Sequence, residues 1–351
     1  MRTRKTDSGT AAGQGELAIL LEIRRRTARA SRGGLRLGIG DDCALLASRP
    51  GEELAVTTDL SIAGRHFRLD WHAPEAVGHR ALARGLSDLA AMGARPVAAF
   101  LSLGLPRPLT LRHGGKPAWV DRFLDGLLAL AAAHKTPLAG GDLAESPLAV
   151  ADIVLVGAVP RGRALLRSGA RAGHQLYVTG VLGGAAAGLA CLAELAGRLK
   201  PSQTQSGLPP LPHIPKKFEA ILAPHLYPQP RIAQGLWLQR RGLASAALDL
   251  SDGLSTDLAH LCQESGVAAE VNSAALPLHP GATLDQALHG GEDYELLFTS
   301  AATARIPRSI AGAPVTRIGR ILKLRSGRPQ ITLLTPQGPQ PLQPHGWEHF
   351  S

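Results

Sequence analysis

The chain has 351 residues, 44% of them hydrophobic and 19% charged, with a formal net charge of +10. This fits a globular protein of about two domains and excludes a collagen-like or low-complexity chain. The positive balance favours an anionic partner, but scattered basic residues and only 4% aromatics count against a nucleic-acid platform.

Residues 1 to 15 are basic without an apolar run, so they read as a disordered N-terminus and not as a signal peptide. Glu16 to Ala28 has helical spacing and ends in three arginines. Leu37 to Leu46 places two glycines and Asp41-Asp42 in a turn between apolar segments. Leu54 to Asp59 is a strand ending in Thr57, Thr58 and Asp59, and Gly64 to Phe67 is a loop. From His79 to Pro96 the spacing predicts a helix, with Pro74 near its first turn and Gly93 at its stop. Val77, Ala81, Leu82, Leu86, Leu89 and Met92 share one apolar arc, and Asp88 falls at its edge. Val97 to Leu105 is a strand, Trp119 to His134 a helix, Leu138 to Asp142 a turn, and Ala151 to Val159 a strand.

A boundary near Pro160 to Arg163 divides an N-terminal α/β domain (16–160) from a C-terminal α/β domain (161–351). Gln175 to Thr179 is a strand and Gly183 to Ala196 a helix. The run from Tyr177 to Ala193 is apolar, but four glycines make it unsuited to spanning a membrane. Residues 199–217 read as a flexible insertion. A helix from Pro230 to Arg241 leads to the strand and turn Ala246 to Gly253, then to a helix stopped by Gly266. His289 to Glu295 is a glycine turn entering the strand Leu296 to Thr299. The fold class is therefore α/β, two domains with mixed sheets. Cys43, Cys191 and Cys262 lack CxxC spacing, which points to a reducing, cytoplasmic setting without zinc or disulfides.

Asp42, Asp59, Asp88, Asp142, Asp249 and Asp252 each stand at a strand end, a glycine turn or an apolar helix face. Carboxylates gathered there repel one another, and no matching set of core arginines is visible to neutralise them. Oxygen-only donors answer to Mg²⁺ or Ca²⁺; several Mg²⁺ ions clamping a polyphosphate is the reading weighed against unrelated turn aspartates. Thr57 and Thr58 add further oxygens.

These stretches, in this order, resemble the thiamine-monophosphate kinase family, within the superfamily of aminoimidazole-ribonucleotide and selenophosphate synthetases. The matching segments are GIGDDCALL (38–46), TTD (57–59), GRHF (64–67), LSDLAAMGARP (86–96), GGD (140–142), GRALLRSGA (162–170), LDLSDGLSTDL (248–258), GGEDYELLFT (290–299) and GWEHF (346–350). The resemblance implies an interdomain active-site cleft and a homodimer formed through N-terminal strands. It implies that Asp42, Thr57, Thr58, Asp59, Asp88, Asp142, Asp249 and Asp252 hold Mg²⁺, with Asp88, Asp142 and Asp252 as the catalytic carboxylates. Gly141, Arg167 and Ser251 would contact ATP, and His66, Glu292 and Trp347 would contact thiamine monophosphate. A Trp face plus a carboxylate suits the cationic thiazolium.

The implied reaction passes the γ-phosphoryl of ATP to a phosphate oxygen, which needs no catalytic base. The partners are then small molecules, with no nucleic acid and no membrane. The chain departs from the family at Leu143-Ala144, where Thr-Thr is usual. The alternatives are another ATP-dependent phosphotransferase or synthetase of the superfamily, and a basic nucleic-acid-binding or nucleotide-sensing protein.

Overall fold

The computed structural model describes residues 16–27, 34–37, 45–112, 116–197 and 211–346. The expectations for residues 1–15, Asp42, Cys43, 199–210 and Trp347 lie outside the described residues. The first half runs α1 (Glu16–Thr27), β1 (Leu35–Leu37), β2 (Leu45–Leu46), β3 (Glu52–Ile62), α2 (Pro74–Ala91), β4 (Arg95–Leu105), α3 (Trp119–Ala133), β5 (Leu138–Glu145) and β6 (Val150–Pro160). The second runs β7 (Gln175–Thr179), α4 (Gly184–Gly197), α5 (Glu219–Leu226), α6 (Ile232–Arg241), β8 (Ala246–Asp249), α7 (Leu254–Ser265), β9 (Val267–Asn272) and α8 (Leu284–His289). It closes with β10 (Leu296–Ser300), β11 (Ser309–Ile310), β12 (Ala313–Lys323), β13 (Ile331–Thr335) and β14 (Gly338–Pro341).

Among the described residues, one sheet has the order β3-β6-β4-β5 and another the order β14-β13-β9-β12-β7-β10-β8, with β11 on β12. Both are mixed: β4 with β5 and β13 with β9 are parallel pairs, and the remaining pairs are antiparallel. No helix of the described residues is long and apolar enough to cross a membrane.

Helix α2 joins the two halves. Pro74 and Glu75 open it, where a missing N–H costs nothing and an acid meets the helix dipole. Met92 caps it and Gly93 leaves at φ 64°. Leu82, Leu86 and Leu89 are buried in a core that takes Leu155 from the first sheet and Leu238, Ala247 and Phe298 from the second half. Each such side chain contributes about 1.5–3 kcal/mol by leaving water. The α2–α3 crossing depends on two glycines. A Cβ on Gly78 would lie 1.9 Å from the Phe123 carbonyl oxygen, and one on Gly126 1.9 Å from that of Glu75.

One local expectation changes. Gly140-Gly141-Asp142 is the middle of strand β5, not a turn, because parallel pairing with Leu101 and Ser102 of β4 extends it. Gly141 sits at φ 147°, and a Cβ there would lie 1.9 Å from the Leu101 carbonyl oxygen. After the stretch 199–217, whose last two residues enter a 3-10 turn (Lys216–Phe218), α5 packs through Leu222 and Leu226 against Leu192 and Leu195 of α4.

Candidate active site

Four elements build the site around one face of α2. Arg80, Arg84, Ser87 and Asp88 stand at i, i+4, i+7 and i+8, so they leave the helix on one side. Strand alternation on β3 turns Thr57 and Asp59 toward α2, and sends Val56, Thr58 and Leu60 to the opposite face. β8 ends at Asp249 and delivers Ser251 and Asp252 in the following turn. Asp257, on the first turn of α7, fixes that turn. Its Oδ2 accepts from the backbone N–H of Ser251, Asp252 and Gly253 at 3.1, 3.0 and 3.0 Å. Burial, reinforced by Asp249 and Asp252, pushes the Asp257 carboxyl up to about 8.

The fourth element is the loop 290–295. Glu292 and Tyr294 have φ of 67° and 51°, a left-handed conformation that costs non-glycine residues roughly 1–3 kcal/mol each. Neighbouring contacts hold the loop in place. The Glu292 N–H donates to the Ser251 carbonyl (2.8 Å) and the Tyr294 N–H to that of Leu250 (2.9 Å). Asp293 accepts from the backbone of Gly183 and Ala185, and buried Glu295 pairs with Arg231 and accepts from Thr179 Oγ1.

A cleft of about 700 Å³ opens between these elements. Asp59, His66, Asp88, Asp249, Ser251, Asp252 and Glu292 all line it. A smaller cavity of about 310 Å³ shares Asp88 and Asp249 and adds Thr57 and Arg167. Asp88 and Asp249 therefore form the wall between two chambers. Thr58 donates to Asp152 (2.9 Å) on the far face of the sheet. Asp142 and Gly141 lie on β5, three strands from β3, or about 14 Å within one chain at the usual strand spacing.

The carboxylates strain one another. Burial, then repulsion from Asp88, pushes Asp59 up to about 6. Burial and Asp88 together push Asp249 up to about 7, although Ser87 Oγ donates to it at 2.6 Å. Asp88 is also raised by burial, against the pull of the Thr57 hydroxyl that donates to it. Such a set of hard oxygen donors, costly to ionise together, suits a divalent cation. Among the described residues, Asp252, Asp257 and His260 also bring one ligand atom each within 4.8 Å of the others. Asp257 is occupied by the three backbone N–H groups above.

Sequence reasoning missed the two arginines of α2, Arg80 and Arg84. Arg80 is buried, and its Nη2 donates to both oxygens of Glu292 at 2.8 Å and to the His66 carbonyl at 3.1 Å. Glu292 thus has a cationic partner in Arg80. Arg84 Nη2 lies 3.4 Å from Asp59 Oδ1. The signal was present as spacing, four and eight residues before Asp88, but an arginine on an apolar helix reads as surface until its neighbours are known. His66 Nδ1 accepts from the Ile62 N–H (3.1 Å), which leaves Nε2 to carry the ring proton.

Residues 40–160 match the family described as AIR synthase related protein, N-terminal domain. The chain is 39% identical over 349 residues to the thiamine-monophosphate kinase of Escherichia coli (strain K12), covering 96% of this chain and 98% of that protein. The chain belongs to the thiamine-monophosphate kinase family. A crystal structure of the family's member from Stenotrophomonas maltophilia K279a is similar at 37% identity and TM-score 0.73, over 92% of this chain and 97% of that one. The structure of AaThiL complexed with AMPPCP and TMP is similar at 29% identity and TM-score 0.70, over 96% and 97%.

Proposed function

We propose that this chain transfers the γ-phosphoryl group of ATP to thiamine monophosphate, giving thiamine diphosphate and ADP. The observation that carries the reading is the two-chambered cleft divided by Asp88 and Asp249, in a chain aligned with thiamine-monophosphate kinases over nearly its whole length. The test is incubation with ATP, Mg²⁺ and thiamine monophosphate, with products identified by mass. Acceptor-dependent ADP and thiamine diphosphate are expected; ADP formation indifferent to the acceptor, or none, refutes the reading.

The acceptor oxygen belongs to a phosphate that is largely ionised near pH 7, so the chain's task is to align two anions. Asp59, Asp88, Asp249 and Asp252, with Thr57 and, outside the described residues, Asp42, are the candidate Mg²⁺ ligands. Bound Mg²⁺ supplies positive charge to the phosphate oxygens. Ser251 and Arg167 are assigned to ATP. His66 and Glu292, whose carboxylate is held by Arg80, are assigned to the acceptor, and Trp347 to its ring system.

We further propose a homodimer in the cytoplasm. On the β3 face turned away from α2, Leu54, Val56 and Leu60 are 50%, 66% and 45% exposed. An apolar stripe on an edge strand favours burial against a second copy. That face also carries Thr58, Asp152 and Asp142. A second copy covering it is the arrangement by which its own Gly141, Asp142 and this chain's Thr58 join one site.

A further inference from the structure

Arg84 has no role in the reading above. It stands one helical turn before Asp88 and lines the larger cleft with Asp59, His66, Glu292 and Tyr294. Its side chain is 18% exposed, and it reaches Asp59 only at 3.4 Å, longer than the 2.7–2.9 Å of a charge-assisted hydrogen bond. Arg80, one turn earlier on α2, is differently used: it is buried and spends its guanidinium on Glu292 and on the carbonyls of His66 and His225. Arg84 lines the cavity and carries a planar fork of donors.

Its position in the cleft identifies what it meets. Arg84 and Arg167 both act on Asp88, but from different chambers. Arg167 lines the small one, while Ser251, assigned with it to ATP, lines the large one. Arg84 lies in the large one, on the side of His66 and Glu292. A fixed cation beside Asp59 competes with any metal ion that residue binds. A guanidinium lining the cleft can also meet an incoming anion.

We propose that Arg84 is a catalytic residue that grips the phosphate of the acceptor and the phosphoryl group as it crosses. This rests on the proposed kinase activity. Two parallel N–H groups of a guanidinium match two phosphate oxygens. An acceptor oxygen forms its bond to the γ-phosphorus as the bond from that phosphorus to the β–γ bridging oxygen breaks, and ADP leaves with that electron pair. No proton moves. Arg84 offsets the repulsion between the two anions from the acceptor side, as Arg167 does from the nucleotide side.

The test compares Arg84→Met and Arg84→Lys with the full-length parent. Parental turnover of thiamine monophosphate is measured first; its absence sinks the kinase reading itself, separately from this assignment. In the variants, calorimetry with chelator present compares thiamine monophosphate with thiamine, which lacks the phosphate. Arg84→Met should weaken binding of the phosphorylated ligand about tenfold, leave thiamine unchanged, and lower kcat about a hundredfold with the KM for ATP within threefold. Arg84→Lys, which keeps the charge and most of the stem, should restore the phosphate preference and only a small part of kcat. Equal weakening for both ligands overturns the proposal. So does a kcat within threefold of the parent, or a change confined to tighter Mg²⁺ binding, which would make Arg84 only the counter-charge of Asp59.

Discussion

Asp249→Asn is expected to make the metal-free protein more stable while disabling it. Asp249 is 4% exposed and its carboxyl is pushed from 3.8 up to about 7 by burial and by Asp88. In the unfolded chain it ionises near its ordinary value. Below pH 4 both states hold the proton and no cost arises. As pH rises from about 4 to about 7 the unfolded chain releases its proton first, so the folded state loses stability across that window. At 1.36 kcal/mol per pH decade the loss reaches about 4 kcal/mol. Asparagine does not ionise, and its amide oxygen can still accept from Ser87 Oγ. Burying the amide NH₂ group without a partner costs about 1–2 kcal/mol. The net gain at pH 8 is then about 2–3 kcal/mol, a rise in Tm of roughly 3–4 °C for a chain of this length. Thermal unfolding in chelator between pH 4 and 9 measures it. The gain should vanish at pH 4, and added Mg²⁺ should stabilise the parent more than the variant. A variant less stable than the parent at pH 8, or equally stabilised at pH 4 and pH 8, would refute the reasoning.

Asp88→Asn should nearly abolish phosphoryl transfer with Tm preserved, because Asp88 stands in the wall between both chambers; near-normal turnover in a well-folded variant would remove it from the site. Val56→Asp places a charge on the exposed apolar stripe of β3, so light scattering should find a monomer; the same variant should lose transfer if a second copy completes the site, and a fully active monomer would deny that. Trp347→Ala should raise the KM for thiamine monophosphate about tenfold, the loss of a contribution of about 1.4 kcal/mol, and leave the KM for ATP unchanged. Equal shifts in both constants would make it a structural anchor.

Periodicity and end signals are local properties, and they made most of the fold legible. The apolar arc of α2, its proline start and glycine stop, and the cap of α7 at Gly266 are all written within short windows. The motifs were legible for the same reason: TTD, LSDLAAMG, LDLSDG and GGEDYE are contiguous, and the structure brings residues from each of them to one cleft. What pairs with what was decided elsewhere. Asp88 is found at the edge of an apolar arc by counting, but that Thr57 donates to it and that it divides two chambers depends on β3 and β8 both packing against α2. Glu292 is visible as a carboxylate after two glycines; its neutralisation by Arg80 is a contact between residues 212 positions apart. Gly140 to Asp142 read as a turn from its glycines and became a strand because β4 supplied the hydrogen bonds. A residue's own neighbours in the chain set its conformation, whereas its charge balance, burial and proton affinity are set by groups that only the folded packing brings within a few ångströms.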